Sequence, residues 1–390
     1  MQDNEKKPAL RFKGFTDPWE QRKLGDLCVE FRSGEFISAS DITETGEYPV
    51  FGGNGLRGFT DRFNHDGEYT LIGRQGALCG NVNFAVGKSY FTEHAIAVRA
   101  DKKNQTRFLY YLFSTMDLGQ YSGQSAQPGL AVGNLVELKS TLPDKQEQEK
   151  ISGVLTALDT LITLHQRKYE KLVNIKKSML DKMFPQNGAS VPEIRFKGFT
   201  DPWEQRKLGE IAFFSKGVGY SKNDLCEEGT PIILYGRLYT KYETCIFDVD
   251  TFVKEKAGSV YSKGGEVIVP ASGETAEDIS IASVVVKPGI LLGGDLNVVS
   301  PTAEYDSAFL ALTISSGATH KYLSSLAQGK SVVHLHNADI QSVSAKFPTK
   351  REQEKIHLLF GKIDTLITLH QRKLEKLQNI KKSCLEKMFV

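Results

Sequence analysis

The spacing of apolar side chains predicts two long amphipathic helices. Residues 142–184 place apolar side chains three and four positions apart, and residues 347–389 repeat the pattern. Pro143 and Pro348 stand where each helix would begin, since proline is tolerated in a first turn. A single helix cannot bury such a stripe by itself. We therefore expect the two helices to pack on each other as an antiparallel coiled coil.

The expected seam and partner interface is apolar except for one histidine in each copy. Its predicted members are Ile151, Leu158, Ile162, His165 and Leu172 in the first helix, and Ile356, Ile363, Ile367, His370 and Leu377 in the second. A polar seam residue often fixes register at some cost in stability, so His165 facing His370 is one interpretation. The other is that both rings are half exposed and only tolerated. Basic residues on the outer faces are either solvated or contact DNA or an acidic partner.

The same segments belong to a larger internal repeat. RFKGFTDPWEQRKLG occupies residues 11–25 and again residues 195–209, and each long helix carries EQEKI, DTLITLHQRK and NIKKS in the same order. The predicted divisions are a first head with its repeat segment at 1–141, a central helix at 142–186, a second head with its repeat segment at 187–346, and a C-terminal helix at 347–390. This organisation predicts a pseudo-two-fold molecule.

The inserts between the repeats, about 28–141 and 212–346, do not resemble each other by eye. Short β-rich runs separated by glycine turns predict mixed α+β heads, each large enough to bury its own core. The predicted strands are Tyr69–Ile72, Val82–Val86 and Ala95–Val98 in the first head, and Pro231–Tyr235, Val267–Pro270, Ile279–Val286 and Leu296–Val299 in the second. One helix is expected in each, at Arg107–Met116 and Asp306–Thr313.

Composition narrows the class of protein. Hydrophobic residues make up 40% of the 390 and charged residues 25%, as in an ordinary globular chain. No apolar run is long enough to span a membrane, and MQDNEKKPALRF lacks the apolar core of a secretory signal, so a cytoplasmic location is expected. The five scattered cysteines form no C-x-x-C pair, which favours reduced thiols and no metal site.

The distribution of charge argues against a free-standing DNA-binding protein. The first insert has 10 basic and 12 acidic residues, and the second has 11 and 15. Heads that are mildly acidic must concentrate positive charge on one face, or a partner must supply much of the affinity for phosphate.

Two kinds of motif resemble nucleotide-binding loops but are incomplete, and a methyltransferase motif is absent. Gly53–Gly58 fits G-x-G-x-x-G, but no helix pattern follows to support a pyrophosphate. Gly87-Lys88-Ser89 and Gly329-Lys330-Ser331 lack the first glycine of a phosphate loop. No Pro-Pro pair exists, so the Asn/Asp-Pro-Pro-Tyr/Phe loop of an amino-methyltransferase is absent. The sequence thus predicts a non-catalytic chain.

Two glycine-rich heads, two near-identical helices and no catalytic motif form a specific combination. The chain resembles the specificity subunit of type I restriction–modification enzymes over essentially its whole length. The resemblance is carried by the Pro-x-x-x-E-Q-E-K-I helix starts, the repeated RFKGFTDPWEQRKLG, and YPVFGGNGLRGF, LIGRQGALCGNV and SAQPGLAVGNL in the first head. The second head matches less well, with PGILLGGDLNVVSP as its best piece.

The resemblance implies a function. Each head would read one half of a split, asymmetric site on double-stranded DNA, and the helix pair would set the spacer and dock two adenine-methyltransferase subunits. Two restriction or translocase subunits would join through them. S-adenosylmethionine, ATP and Mg²⁺ would be used by those partners and none bound by this chain. Two readers on a rigid helix pair suit half-sites about one helical turn apart, near ~34 Å.

Candidate base-reading residues are polar side chains on loops, which can pair with groove edges. They are Arg57, Arg74, Gln75, Gln124 and Gln127 in the first head, and Arg237, Lys241, Ser272, Asn297, His334 and His336 in the second. For each residue, an ordinary surface or turn role is the alternative. Gly52, Gly53, Gly55 and Gly76 are expected to form turns.

A second class of function stays open. A coiled-coil scaffold with two protein- or glycan-binding heads would explain the architecture and the mildly acidic heads. It would not explain why two unlike heads share one duplicated helix pair. A third interpretation, that the chain is itself an enzyme, has no motif to support it.

Overall fold

The computed structural model describes residues 7–123, 129–186, 188–329 and 332–390. The chain forms two compact units. The first unit is Met1–His165 with Lys373–Val390, and the second is Gln166–Arg372. Each long helix is therefore divided between the units, and the first unit is built from two separate stretches of chain.

The first unit is mixed α+β. Its strands are β1 (Glu20–Lys23), β2 (Cys28–Ser33), β3 (Tyr48–Gly52), β4 (Gly55–Thr60), β5 (Glu68–Gly73), β6 (Val82–Val86), β7 (Tyr90–Phe91), β8 (Ala95–Ala100) and β9 (Lys139–Leu142). Its helices are α1 (Thr106–Thr115), α2 (Val132–Glu137) and the first part of α3 (Lys145–Met183). The sheets have the orders β2-β8-β5-β6, β4-β3-β7 and β1-β9.

The second unit has more short elements. Its strands are β10 (Glu204–Lys207), β11 (Ala212–Lys216), β12 (Leu225–Cys226), β13 (Thr230–Ile233), β14 (Cys245–Ile246), β15 (Phe252–Val253), β16 (Glu266–Pro270), β17 (Ser272–Gly273), β18 (Ser283–Val285), β19 (Leu291–Leu292), β20 (Leu296–Pro301), β21 (Val333–His334) and β22 (Ser344–Phe347). Its helices are the last part of α3, α4 (Leu208–Ile211), α5 (Arg237–Thr240), α6 (Ala276–Ile279), α7 (Ser307–Ile314), α8 (Gly317–Leu326), α9 (Asn337–Ser342) and most of α10 (Lys350–Lys387). The last part of α10 belongs to the first unit.

The two heads share one topology although their sequences look unrelated. The order β11-β20-β16-β18 in the second head matches β2-β8-β5-β6 in the first. The parallel pair β13–β19 likewise matches β3–β7, and α7 follows β20 as α1 follows β8. The predicted α+β class and internal repeat are thus confirmed, and the repeat extends to the heads as a repeat of fold.

Each core lies where the helix of the head meets the long helices. In the first unit, Trp19, Phe108 and Leu155 are buried together with Phe389. In the second, Trp203, Phe309 and Phe360 are buried with Phe184, and so form the equivalent cluster. Burying one large apolar side chain contributes roughly 1.5–3 kcal/mol to folding stability. Because the buried aromatic residues come from the repeat segments, the heads and the long helices, their packing joins these parts.

Most sequence-predicted strands and helices are confirmed, and two strands are shorter than predicted. The long helices begin two residues after Pro143 and Pro348. The predicted strand Ile279–Val286 is only the three-residue β18, because the Thr275 side chain caps the short helix α6 just before it. The predicted strand Pro231–Tyr235 ends at Ile233, before the turn into α5.

Within each unit the long helices run antiparallel. In the first unit, Ile151 at the start of α3 shares a core with Met388 after the end of α10, and Asp159 pairs with Lys381. In the second unit Lys176, near the end of α3, pairs with Asp364 in α10. All ten predicted seam residues are buried or half-buried. The pairing of the two seam histidines remains a prediction.

Candidate nucleic-acid interface

A buried ion pair joins each short repeat to the start of a long helix. The Arg11 guanidinium donates from Nε and Nη2 to the two carboxylate oxygens of Glu147, each at 2.8 Å. Arg195 binds Glu352 in the same two-pronged way, at 2.7 and 2.8 Å. The hydrogen bond to Glu147 raises the pKa of Arg11, and that to Glu352 raises the pKa of Arg195. Both carboxylates are fully buried, so this contact fixes the repeat segment on the helix.

The next residue of each helix binds the head. The side-chain oxygen of Gln148 accepts the backbone N–H of Gln105, which opens α1, at 3.0 Å. The side-chain oxygen of Gln353 accepts the backbone N–H of Asp306, which opens α7, at 2.9 Å. Both glutamines are fully buried. The E-Q pair that begins each helix therefore holds the repeat segment with one side chain and the head with the other.

The far ends of the helices complete the units. Trp19 of the first unit packs edge-on against Phe389 with ring centroids 6.5 Å apart, and Trp203 of the second packs in the same way on Phe184 at 5.9 Å. Because Phe184 ends the first helix repeat and Phe389 the second, each unit takes its helix start from one repeat and its helix end from the other. Sequence reasoning noted these motifs without assigning them this role; their identity in both copies was the available signal.

A fourth repeated contact lies on the helix seam. In the first unit, the Asp159 carboxylate accepts the Tyr111 hydroxyl at 2.8 Å and pairs with Lys381 at 2.5 Å. In the second unit, Asp364 accepts the Thr244 hydroxyl at 2.9 Å and pairs with Lys176 at 2.5 Å. A different head side chain thus reaches the same helix position in each unit, and this contact also orients the head.

Three predicted base-reading residues of the first head lie within the described chain. Arg57 lies on β4 of the β3–β4 hairpin, and Arg74 and Gln75 follow the central strand β5. Gly53 lets the hairpin approach the end of β5, since a Cβ there would lie 3.6 Å from Gly73 Cα and 2.9 Å from the carbonyl oxygen of His94, which precedes β8. The hairpin thus carries Arg57 to the end of the sheet where Arg74 and Gln75 lie.

The remaining two candidates, Gln124 and Gln127, fall outside the described residues. The glycine turns are borne out at Gly55 and Gly76, with φ values of 88° and 82°. Gly53 to Gly58 form part of a β-hairpin rather than the start of a helix, which fits the rejection of a dinucleotide site.

Two of the predicted base-reading residues of the second head are held by other groups of the fold, and their contact with DNA stays a prediction. The Arg237 side chain is only 9% exposed, and its guanidinium binds the carboxylates of Glu243 and Asp250. It lies in a cleft of about 1000 Å³ between the head and the long helices, with Lys241, which also binds Asp250. Hydrogen bonds from Lys241 and then from Arg237 lower the pKa of Asp250 to about 2. These cations are engaged with carboxylates, and Arg237 has little surface left for a base.

Asn297 is the second such residue. It is fully buried in β20, and its Nδ2 donates to the backbone carbonyl of Leu335 at 2.8 Å. A buried amide cannot reach a groove edge, so Asn297 instead holds the segment that carries His334 and His336. Those two rings lie parallel, with centroids 6.3 Å apart. Ser272 pairs with His334 through the backbone, but its side chain is also buried.

The long helices also carry an outer apolar face. Apolar side chains that remain exposed are Val154, Leu161, Leu164 and Ile380 in the first unit, and Val173, Ile175, Leu358, Leu366 and Leu369 in the second. Several recur at corresponding positions of the two repeats, such as Leu161 with Leu366. Monomeric proteins rarely expose such rows of apolar side chains to water, so this face is suited to binding another protein.

The described residues offer little support for other kinds of site. None of their helices is long and apolar enough to cross a membrane. Over the same residues, no group of three or more His, Cys, Asp or Glu side chains is arranged to hold a metal. Burial raises the pKa of Cys28 to about 12 and that of Cys245 to about 11, so both thiols stay protonated at neutral pH.

Comparison with known proteins identifies relatives of both halves. The model of a family described as "Type I restriction modification DNA specificity domain" matches residues 16–174 and again residues 200–379. The two matches correspond to the two copies of the internal repeat.

Individual relatives agree with the family match. The specificity subunit of the Escherichia coli type I restriction enzyme EcoprrI is 44% identical over 156 residues, which are 39% of this chain and 39% of that subunit. The MjaVIII specificity subunit of Methanocaldococcus jannaschii is 22% identical over 392 residues, covering 94% of this chain and 91% of its own. The solved S subunit from M. genitalium superposes with a TM-score of 0.69 at 17% identity, covering 98% of this chain and 99% of its own, and so shares the fold.

Proposed function

The chain belongs to the type I restriction–modification DNA specificity family, and from this premise we propose that its two heads read the two halves of a split, asymmetric DNA site. The observation that carries the proposal is the combination of one shared head fold with unlike side chains at its loops. Both heads are attached to the helices through the same Arg–Glu and Gln–backbone contacts. Two heads that are attached in the same way but carry different side chains on their loops are suited to binding two different DNA sequences.

The helix pair sets the spacer in this proposal. The seam contacts Asp159–Lys381 and Asp364–Lys176 support a fixed register of α3 against α10. Because each head is bound to a helix start, the length of helix between the heads determines how far apart the half-sites lie. An antiparallel pair of rigid helices is suited to that role.

Two adenine-methyltransferase subunits dock on the chain and supply the chemistry. The outer apolar face of α3 and α10 supports such docking, since it occurs once in each unit and is left uncovered by either head. S-adenosylmethionine serves these partners, and restriction subunits that join through them use ATP and Mg²⁺. The chain itself contributes recognition in the cytoplasm, where its DNA substrate lies.

The partners also resolve the charge problem. The heads are mildly acidic, so their affinity for DNA phosphates must be completed by the methyltransferase subunits. This explains how a chain with a formal net charge of only +2 takes part in DNA recognition. A scaffold with protein- or glycan-binding heads remains the second candidate, favoured by the same acidic heads.

The experiment is an exchange of one head followed by sequencing of methyladenine in the host DNA. Residues 28–141 are replaced by the corresponding insert of another family member, with the helices and repeat segments retained. We expect one half of the methylated motif to change while the other half and the spacer persist. A host that carries no split motif dependent on this gene would favour the scaffold.

A further inference from the structure

The two heads build the same backbone arrangement at the end of the central strand. In the first head, the Arg74 N–H donates to the His94 carbonyl at 2.9 Å, and the Arg74 carbonyl accepts the Leu130 N–H at 2.8 Å. In the second head, the Ala271 N–H donates to the Asp295 carbonyl at 2.8 Å, and the Ala271 carbonyl accepts the Leu335 N–H at 3.0 Å. Three separate chain segments therefore meet in the same way in both heads.

A further bridge completes the match. Gln75 pairs with Gly129 through the backbone as Ser272 pairs with His334. We call these positions the strand-end cluster. Its members are Arg74, Gln75, His94 and Gly129 in the first head, and Ala271, Ser272, Asp295 and His334 in the second. The backbone is shared, yet all four side chains differ between the heads.

In the first head the strand-end cluster presents hydrogen-bond donors. When the proton is on His94 Nδ1, the Gln75 side-chain oxygen accepts it at 2.9 Å, and the exposed Gln75 amide keeps its Nε2–H groups for a ligand. No residue that the structure describes forms a hydrogen bond or an ion pair with the adjacent Arg74 guanidinium. Two side chains that donate and do not accept suit the O6 and N7 acceptors of guanine.

In the second head the same cluster presents an acceptor. Ala271 and Ser272 are buried, so the exposed members are Asp295 and His334. Asp295 has φ 57°, in the left-handed region that non-glycine residues seldom adopt. Within the part of the chain that the structure describes, its carboxylate has neither a hydrogen-bond nor an ion-pair partner. A carboxylate accepts from the N4 amine of cytosine.

We propose that the strand-end cluster determines specificity in both heads, with Arg74 and Gln75 contacting the guanine edge of a G·C pair in one half-site and Asp295 contacting the cytosine edge of a G·C pair in the other. This inference rests on the proposed function. It adds His94 as a positioning residue for Gln75 and Asp295 as a contact residue, and neither was among the sequence-based candidates. The equivalence of the two clusters also predicts that the two G·C pairs lie at corresponding places in their half-sites.

The test uses the full chain expressed with its methyltransferase partner in a host that lacks both genes, with methyladenine sequencing as the readout. Gln75→Glu keeps an oxygen that His94 can bind but removes both Nε2 donors. Asp295→Asn suits the same positive φ, because asparagine is well tolerated there, but replaces an acceptor by a mixed group. Glu227→Gln removes an exposed charge elsewhere on the second head and serves as the matched control.

We expect Gln75→Glu to relax or change one G·C position in one half-site by at least about tenfold, the effect of ~1.4 kcal/mol of lost discrimination. Asp295→Asn should alter one G·C position in the other half-site only, and Glu227→Gln should leave both unchanged. A wild-type motif that persists unaltered in both Gln75→Glu and Asp295→Asn would overturn this inference alone. A wild type without any split motif would overturn the proposed function and this inference with it.

Discussion

At the scale of single residues, the repeated contacts do more than the repeated sequence implies. Glu147 and Gln148 are adjacent and buried, but they bind different parts of the molecule. Glu147 binds Arg11 of the short repeat, and Gln148 binds the start of α1 in the head. The pattern returns at Glu352 and Gln353. A buried carboxylate is tolerated only with a well-placed cation, so the helix start and the short repeat depend on each other.

Glu147→Ala should therefore be costly. Removing the carboxylate leaves the Arg11 guanidinium unpaired in a site that is mostly buried, and we expect a loss of ~3–5 kcal/mol of unfolding free energy in the first unit. Chemical denaturation, with hydrogen exchange of α1 to localise the change, would measure it. Glu149→Ala on the exposed face of the same helix is the control, expected to stay within about 0.5 kcal/mol of wild type. Equal effects of the two substitutions would contradict the argument.

One histidine–carboxylate pair of the second unit should make the stability of that unit depend on pH. His357 Nδ1 lies 2.9 Å from an Asp306 carboxylate oxygen, and this contact raises the pKa of His357. Burial acts to raise the pKa of Asp306, but the close contact with His357 outweighs it and the pKa is lowered. A raised histidine pKa means stability that is present below the unfolded value of about 6.5 and lost as pH rises through the folded value. A lowered carboxylate pKa means stability lost as pH falls through the folded value of Asp306.

The pair thus contributes most in mildly acidic solution. The measurement is the unfolding free energy of wild type and His357→Ser between pH 4 and pH 9, serine being the residue at the equivalent position, Ser152. We expect the difference between them to shrink as pH rises. A difference that does not vary with pH would show that the ion pair contributes nothing to the pH dependence of stability.

At the scale of elements, α3 and α10 have two apolar faces that differ in exposure. The seam face carries half-buried residues such as Leu172, whereas the outer face carries Leu161, which is 42% exposed. Apolar periodicity predicted the seam, because a stripe at heptad spacing marks the side that a partner helix covers. It did not distinguish the second face, which becomes visible only when exposure is known.

Leu172→Asp and Leu161→Asp should separate these faces. Charge in the seam costs stability, so Leu172→Asp should lower the melting temperature by several degrees. Leu161→Asp should leave the melting temperature close to wild type and abolish co-purification with the methyltransferase. Thermal melting and size-exclusion chromatography of the mixed proteins would measure both. Retained co-purification in Leu161→Asp would mean that the partner binds elsewhere.

The strands of the heads were largely predictable and their arrangement was not. The β propensity of runs such as Val82–Val86 predicts a strand, and the structure has β6 at those residues. The common order β2-β8-β5-β6 and β11-β20-β16-β18 depends on pairings between distant segments, which no local pattern carries. The ion pair of Arg237 was not predictable for the same reason, since Asp250 becomes its neighbour only in the fold.

At the scale of the whole molecule, the proposed function assigns the spacer length to the helices and the half-site sequences to the heads. The helices and repeat segments are nearly the same in both copies, whereas the inserts share only their fold. A change in one insert leaves the mounting contacts Arg11–Glu147 and Arg195–Glu352 intact. A change in helix length leaves both inserts intact. Spacer and half-site sequence should therefore be independently adjustable.

Insertion of seven residues into each helix, after His165 and after Arg372, tests this separation. Seven residues are two turns and keep the seam on the same face, and they lengthen the helix pair by ~10 Å. At ~3.4 Å for each base pair, the spacer should grow by about three base pairs while both half-sites persist. Methyladenine sequencing would reveal the motif. A lengthened chain that methylates with the original spacer would refute the role of the helices in setting distance.

The division of the long helices also dictates an order of events during synthesis. The second unit is one continuous stretch, Gln166–Arg372, so all of it has been translated before Lys373–Val390 exists. The first unit begins at the N-terminus yet needs Phe389 to cover Trp19 and Lys387 to accept the N–H of Leu10. The part of the chain that leaves the ribosome first is thus the last to be completed. Until then the aromatic surface around Trp19 lacks its Phe389 cover, and we expect ribosome pausing late in the message to prolong that exposure.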